Sequence, residues 1–143
     1  MKKTLLPFVL IVILLFSCSL PDADKIASEV VFESTDFQTA IEKATRFNKP
    51  VMLHFYANWC PPCKKMRKET FGNKELAELL NKHFVNIKLN VDTQEGRIQS
   101  TKYNIEGFPV VILLNAKGEI VYRQTGFQEA SAIIPVIKSM LVQ

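Results

Sequence analysis

Val51-Met52-Leu53-His54-Phe55-Tyr56-Ala57-Asn58-Trp59-Cys60-Pro61-Pro62-Cys63-Lys64-Lys65-Met66 changes character halfway along, and the change decides the fold. Val51 to Tyr56 is a compact apolar run interrupted once, by His54. A run of this kind predicts a central strand covered on both faces. Ala57-Asn58-Trp59 is a loop, and a helix runs on from Lys64 to about Thr70. Cys60 falls at the N-cap of that helix. Pro61 falls at its first position, where a missing N–H costs nothing.

Toward the N-terminus, Val30-Val31-Phe32 predicts a first strand and Ser34-Thr35-Asp36 a capping cluster. Phe37, Ala40, Ile41 and Ala44 recur at helical spacing to about Phe47, and Asn48-Lys49-Pro50 stops that helix. Toward the C-terminus, Phe71-Gly72-Asn73 breaks the chain before a helical stretch with Leu76, Leu79 and Leu80, ending near His83. Phe84 to Leu89 alternates, with Val85, Ile87 and Leu89 on one side and Phe84 on the other, which predicts a strand. A short polar helix is expected from Gln94 to Tyr103, around Gly96. Gly107-Phe108-Pro109 is a turn, Val110 to Leu114 a strand, Asn115 to Gly118 a hairpin turn and Glu119 to Arg123 the return strand. After Gly126, Ala130, Ile133, Ile134, Ile137 and Leu141 make a terminal helix that Pro135 should kink. The order is β α β α β α β β α, an α/β fold with a central sheet flanked by helices.

The 143 residues are enough for one domain, and 48% of them are apolar, enough to fill its core. Met1-Lys2-Lys3 and the uncharged run Leu5 to Phe16 read as the n- and h-regions of a signal peptide. The run is too short for an ordinary membrane helix, which needs about 20 apolar residues. Leu15-Phe16-Ser17-Cys18 resembles the lipobox of bacterial lipoproteins, whose cysteine becomes the lipidated first residue. The alternative is cleavage further on, near Ala23. The expected organisation is a leader over 1–17, a tether over 18–28 and a domain over 29–143. Several acyl chains would make a durable anchor, where one alone holds marginally.

Without Lys2 and Lys3 the balance is 16 basic against 14 acidic side chains, with no dense basic stripe. That balance does not point to nucleic acid. If Cys18 is lipidated, two of the three cysteines remain, Cys60 and Cys63. Two residues apart, they close almost no loop and read as a redox pair rather than a structural staple. A zinc half-site is the alternative. Zinc takes about four ligands, and the chain offers no second Cys pair and only His54 and His83, so no metal and no cofactor are expected.

The stretch Phe55 to Met66 resembles the active-site stretch of thioredoxins. Lys88-Leu89-Asn90-Val91-Asp92, Gly107-Phe108-Pro109 and Gly126 look like the central strand and exit loop, the cis-proline loop and the glycine after the last strand of that family. The likeness covers about residues 30 to 142. Lys64-Lys65-Met66, Glu69-Thr70-Phe71 and Thr125-Gly126-Phe127 narrow it to the C-terminal domain of the transmembrane thiol–disulfide interchange proteins and their small exported lipoprotein relatives. The resemblance implies a thioredoxin fold: a mixed sheet with the active site at the N-terminus of the helix after the central strand.

On that resemblance Cys60 is the nucleophile, held as thiolate by the helix N-terminus, and Cys63 is the resolving thiol. Pro61 and Pro62 stiffen the link and withhold N–H donors from Cys60, which favours a reducing couple. Trp59 shields the pair and offers apolar surface to an incoming protein, or else packs in the core. Phe108 precedes an expected cis-Pro109, and in the family the backbone there pairs with substrate. His54 stands where the family has a buried aspartate, and Lys88 matches a lysine beside it. A neutral His54 is expected, since burial and a nearby cation both lower its pKa. It is then either a base for Cys63 or a satisfied core histidine. Asn90, Asp92 and His83 read as caps and solvated faces.

The resemblance implies an enzyme: a reductase of disulfides in exported proteins, tethered by Cys18 on the periplasmic side of a bacterial envelope. Its expected partners are protein thiols and disulfides and an upstream membrane thiol donor, with cytochrome c maturation as one setting. The alternatives are a non-catalytic binding or structural protein with the same fold, and a peroxidase. The latter would need a Thr and Arg around its cysteine, and Cys60 lacks that pattern.

Overall fold

The computed structural model describes residues 28–142. The leader, Cys18 and the tether through residue 27 lie outside the described residues. The elements are α1 (Phe37–Arg46), β1 (Val51–Tyr56), α2 (Pro61–Glu69), α3 (Lys74–His83), β2 (Val85–Asn90), α4 (Gln94–Lys102), β3 (Val110–Leu114), β4 (Ile120–Thr125) and α5 (Ala130–Leu141). The sheet order is β2-β1-β3-β4. β1 pairs parallel with β2 and antiparallel with β3, and β3 pairs antiparallel with β4. Among the described residues no helix is long and apolar enough to cross a membrane.

Strand alternation divides the core into two layers. Val51, Leu53 and Phe55 join Ile87, Leu89 and Ile112 on the face that α1 covers through Phe37, Ala40 and Ala44. Met52, Val111 and Leu113 point the other way, onto Met66 of α2, Leu76 and Leu80 of α3, and Ile133 and Ile137 of α5. Phe84 joins this second layer, opposite to Val85 as its alternation predicts. Caps fix where helices start: Asp36 Oδ1 accepts the Thr39 N–H at 3.0 Å, Asn73 Oδ1 the Leu76 N–H at 3.0 Å, and Thr93 Oγ1 the Gly96 N–H at 3.0 Å.

The expected first strand is absent. Val30-Val31-Phe32 forms no ladder with the sheet. Amide side chains take the place of a neighbouring strand. Asn81 Oδ1 accepts the Val31 N–H at 2.8 Å, and its Nδ2 donates to Glu29 O at 3.0 Å. Asn86 Nδ2 donates to Val31 O at 3.1 Å. The Val30 N–H goes to Phe71 O and the Glu33 N–H to Asn86 O, both at 2.8 Å. The arm thus divides its bonds between separate elements and keeps no common register. Its apolar signal still reports burial, because Val30 is in the core and Phe32 packs on it.

A smaller difference concerns an end. β4 runs on to Thr125, paired with Val110, and stops at Gly126 with its φ of 91°. α5 holds Pro135 inside it, on its exposed side.

Gly96 sits inside α4 because that helix begins against the end of β2. A Cβ there would overlap the Asn90 carbonyl. In an open helix Gly→Ala stabilises by about 1 kcal/mol. Here the overlap reverses the sign, and Gly96→Ala should destabilise by about 2 kcal/mol, within the range of overpacked sites. Urea denaturation checks this; an unchanged or raised midpoint would show that α4 has room to move away from β2.

Candidate active site

β1 delivers the chain to the site, and the loop Ala57–Trp59 turns it into α2. The Cys60 N–H donates to Ala57 O at 3.3 Å, which closes that turn. Cys60 is the N-cap of α2, in extended conformation (φ −83°, ψ 111°), with Pro61 and Pro62 as the first two helical residues. Cys60 and Cys63 are joined by a disulfide, with Cα atoms 5.3 Å apart. The Cys63 N–H donates to Cys60 Sγ at 3.3 Å. It is the first amide of the helix available to do so, since neither proline has one. Both cysteines are buried, Cys60 at 4% and Cys63 at 3% exposure, so position on the helix and not exposure distinguishes them.

Trp59 is 64% exposed, which removes core packing as its role. Its Nε1–H donates to Asp92 Oδ1 at 3.3 Å, and its ring meets Phe108 edge-on at 6.3 Å. Asp92 is held in turn by Asn90, whose Oδ1 accepts the Asp92 N–H at 3.0 Å. Phe108 is half-buried and packs with Ala57, Cys60 and Cys63. The Phe108–Pro109 bond is cis, and Pro109 O accepts the Gly126 N–H at 2.8 Å.

His54 lies on β1 between Lys88 of β2 and Val111 of β3 in register. It is buried, stacked on Tyr56 at 5.5 Å and edge-on to Phe71 at 4.8 Å. Among the described residues its Nδ1 has no hydrogen-bond partner. A cavity of about 300 Å³ runs from His54 to Cys63, with Phe32, Phe71 and Lys88 in its walls; Cys60 is not part of it. Burial pushes the imidazole pKa down to about 4; the Val110 backbone opposes this and Lys88 adds to it. His54 is therefore neutral at pH 7, as its sequence position predicts. Lys88 itself is exposed, with Nζ 5.7 Å from the Phe32 ring.

Sequence reasoning missed Asp92 as the partner of Trp59. The signal was the Asn90-Val91-Asp92 turn, read only as a cap. It also missed the aromatic box of Phe32, Tyr56 and Phe71 around His54, which draws on three separate segments.

The sequence matches the family model described as a thioredoxin-like domain over residues 37–141. It is 28% identical over 123 residues to the thiol:disulfide interchange protein DsbD of Ralstonia nicotianae, covering 85% of this chain and 20% of that protein. To DsbD of Pseudoalteromonas atlantica it is 31% identical over 116 residues, covering 79% and 20%. The chain thus spans about a fifth of the length of these curated relatives. The crystal structure of the oxidised C-terminal domain of Neisseria meningitidis DsbD superposes with a TM-score of 0.62 at 26% identity, covering 77% of this chain and 97% of that one.

His54 makes stability depend on pH in a defined direction. Its ordinary pKa is 6.5 and the fold holds it at about 4. Between these values the unfolded chain binds a proton that the folded chain does not. Its contribution is therefore complete above about pH 6.5 and lost as pH falls toward 4, by on the order of 3 kcal/mol. His54→Gln should remove that part of the difference between urea stabilities at pH 7 and pH 4. An equal difference in both proteins would mean that His54 titrates normally in the fold.

Proposed function

The chain belongs to the thioredoxin-like domain family, and on that premise we propose that it is an exported, membrane-tethered oxidoreductase that reduces disulfides in exported proteins. The domain is of the thiol–disulfide oxidoreductase type and carries a redox-capable cysteine pair. One observation carries the reading: the Cys60–Cys63 disulfide stands on the N-cap of the helix that follows the central strand.

In the forward reaction the Cys60 thiolate attacks one sulfur of a substrate disulfide. The substrate S–S bond breaks, one substrate thiolate leaves, and a mixed disulfide forms on Cys60. Cys63 then loses its proton and attacks Cys60 Sγ, releasing the second substrate thiolate and closing the Cys60–Cys63 bond. Two electrons pass to the substrate, whose two sulfurs take up protons. His54 shares the cavity with Cys63 and accepts a hydrogen bond from its thiol during this second step. Trp59 and Phe108 form the apolar surface on which the substrate rests, and Pro109 ends the loop that carries Phe108. An upstream membrane thiol donor returns the electrons.

The two prolines favour this direction. They leave Cys60 with the Cys63 amide as its first-turn donor, so its thiolate is less stabilised and the disulfide relatively favoured. The charged n-region, the apolar run and Leu15-Phe16-Ser17-Cys18 support export and a lipid anchor at Cys18 on the periplasmic side. Exported proteins that need free cysteines are the fitting substrates, those awaiting haem attachment in cytochrome c maturation among them.

The purified chain should reduce insulin with dithiothreitol, read as turbidity. Its midpoint in glutathione buffers at pH 7 should lie nearer about −270 mV than about −120 mV. No turbidity above the uncatalysed rate would favour the non-catalytic alternative. A midpoint above about −180 mV would overturn the reductase direction and leave the exchange chemistry standing. In cells, a fatty-acid label should mark the wild type and not Cys18→Ala; label in neither would remove the anchor.

A further inference from the structure

The loop of residues 103–109 brings Phe108 to the disulfide, yet its middle has no backbone support of its own. The Asn104 N–H returns to Thr101 O at 3.2 Å and the Ile105 N–H to Ser100 O at 2.9 Å, which closes off α4. Beyond them, the N–H groups of Glu106, Gly107 and Phe108 meet no carbonyl among the described residues. Phe108, the last of the three, packs beside the two sulfurs and meets the exposed Trp59, where an extended peptide can engage its open N–H. An open cleft of about 350 Å³ runs along the loop and β4, with Ile105, Gly107, Arg123 and Thr125 among its walls.

An unsupported stretch keeps its course only if its ends are fixed, because free residues add conformational entropy that docking must remove. β4 and the glycine after it add an anchor at each end. At the end of the loop, the Gly126 N–H donates to Pro109 O at 2.8 Å. At its start, Arg123 Nη2 donates to Tyr103 O at 2.6 Å and Nη1 to Asn104 O at 3.4 Å. Tyr103 is the C-cap of α4 and Asn104 has a φ of 50°, so these are carbonyls the helix leaves open. A cation there also meets the negative end of the helix dipole. Arg123 is placed by its pairing with Ile112, and Thr125 two residues on pairs with Val110, next to Pro109.

We infer that Arg123 is a positioning residue for substrate docking, its guanidinium fork fixing the start of the loop and hence the course of Glu106–Phe108 beside the cysteine pair. The inference rests on disulfide exchange at Cys60 and Cys63. Its test compares two substrates of the full chain: insulin, which docks as a peptide, and a small aromatic disulfide, which needs no extended docking. In Arg123→Ala the KM for insulin should rise about fivefold, equivalent to about 1 kcal/mol, with kcat changed by less than about twofold. The rate on the small disulfide and the glutathione midpoint should stay at wild-type values. Arg123→Lys keeps the charge without the planar fork and should not restore KM. An unchanged insulin KM, full restoration by lysine, or an equal loss on the small disulfide would each overturn the inference. Arg123→Gln serves the same comparison should the alanine variant not fold. A wild-type chain inactive on both substrates would instead end the exchange reading itself.

Discussion

Pro61 and Pro62 have no amide hydrogen, and the site is organised around that subtraction. A helix leaves its first N–H groups without intrahelical partners. In α2 two of them are deleted, and the next, on Cys63, is spent on Cys60 Sγ at 3.3 Å. The sulfur at the N-cap keeps the dipole of the helix behind it but few discrete donors. The turn must then be held from outside. β1, paired on both sides, fixes where it begins, and Met66, fully buried in the core, fixes the helix that follows.

The two cysteines share this turn and face different surroundings. Both pack with Ala57 and Phe108, on the side where Trp59 is exposed. Cys63 alone of the two also lines the cavity that reaches His54. Chemistry that differs between the sulfurs therefore has a place to come from: an apolar side that carries the exposed Trp59, and a cavity that brings the polar His54 to the inner sulfur. The arm at residues 29–33 builds part of that cavity, since Val30 and Phe32 line it. Asn81 and Asn86 hold the arm in place.

Most of the fold was legible because it is written locally. The apolar run of Val51–Tyr56, the alternation of Val85, Ile87 and Leu89, and the capping cluster Ser34-Thr35-Asp36 each declare their element within a few residues. The cysteine turn was legible for the same reason. What escaped depends on partners far along the chain. Val30-Val31-Phe32 has the composition of a strand, but whether it pairs depends on Asn81 and Asn86, about 50 residues away, and their amides bond its backbone instead. Asp92 reads as a cap until Trp59, 33 residues earlier, is seen to donate to it. Arg123 reads as a strand residue with an exposed charge; only the folded hairpin carries it to the open carbonyls at the end of α4.

His54 raises a question of magnitude that its position alone does not answer. Burial lowers an imidazole pKa and raises that of a carboxyl, so at neutral pH a histidine here is uncharged and can accept a proton. With its pKa at about 4, however, it is a weak base. Moving a proton to it from an ordinary thiol of pKa about 8.5 is uphill by about 4.5 units, roughly 6 kcal/mol. Taken as a separate group, His54 is thus a poor resting acceptor for the Cys63 proton, and the Lys88 charge is already part of its lowered pKa. In the proposed mechanism Cys63 therefore remains a thiol until the mixed disulfide draws it forward. His54 then contributes as an acceptor while sulfur–sulfur bond formation develops charge, through partial transfer in the transition state. Such a group affects the rate of the resolving step more than the equilibrium between dithiol and disulfide.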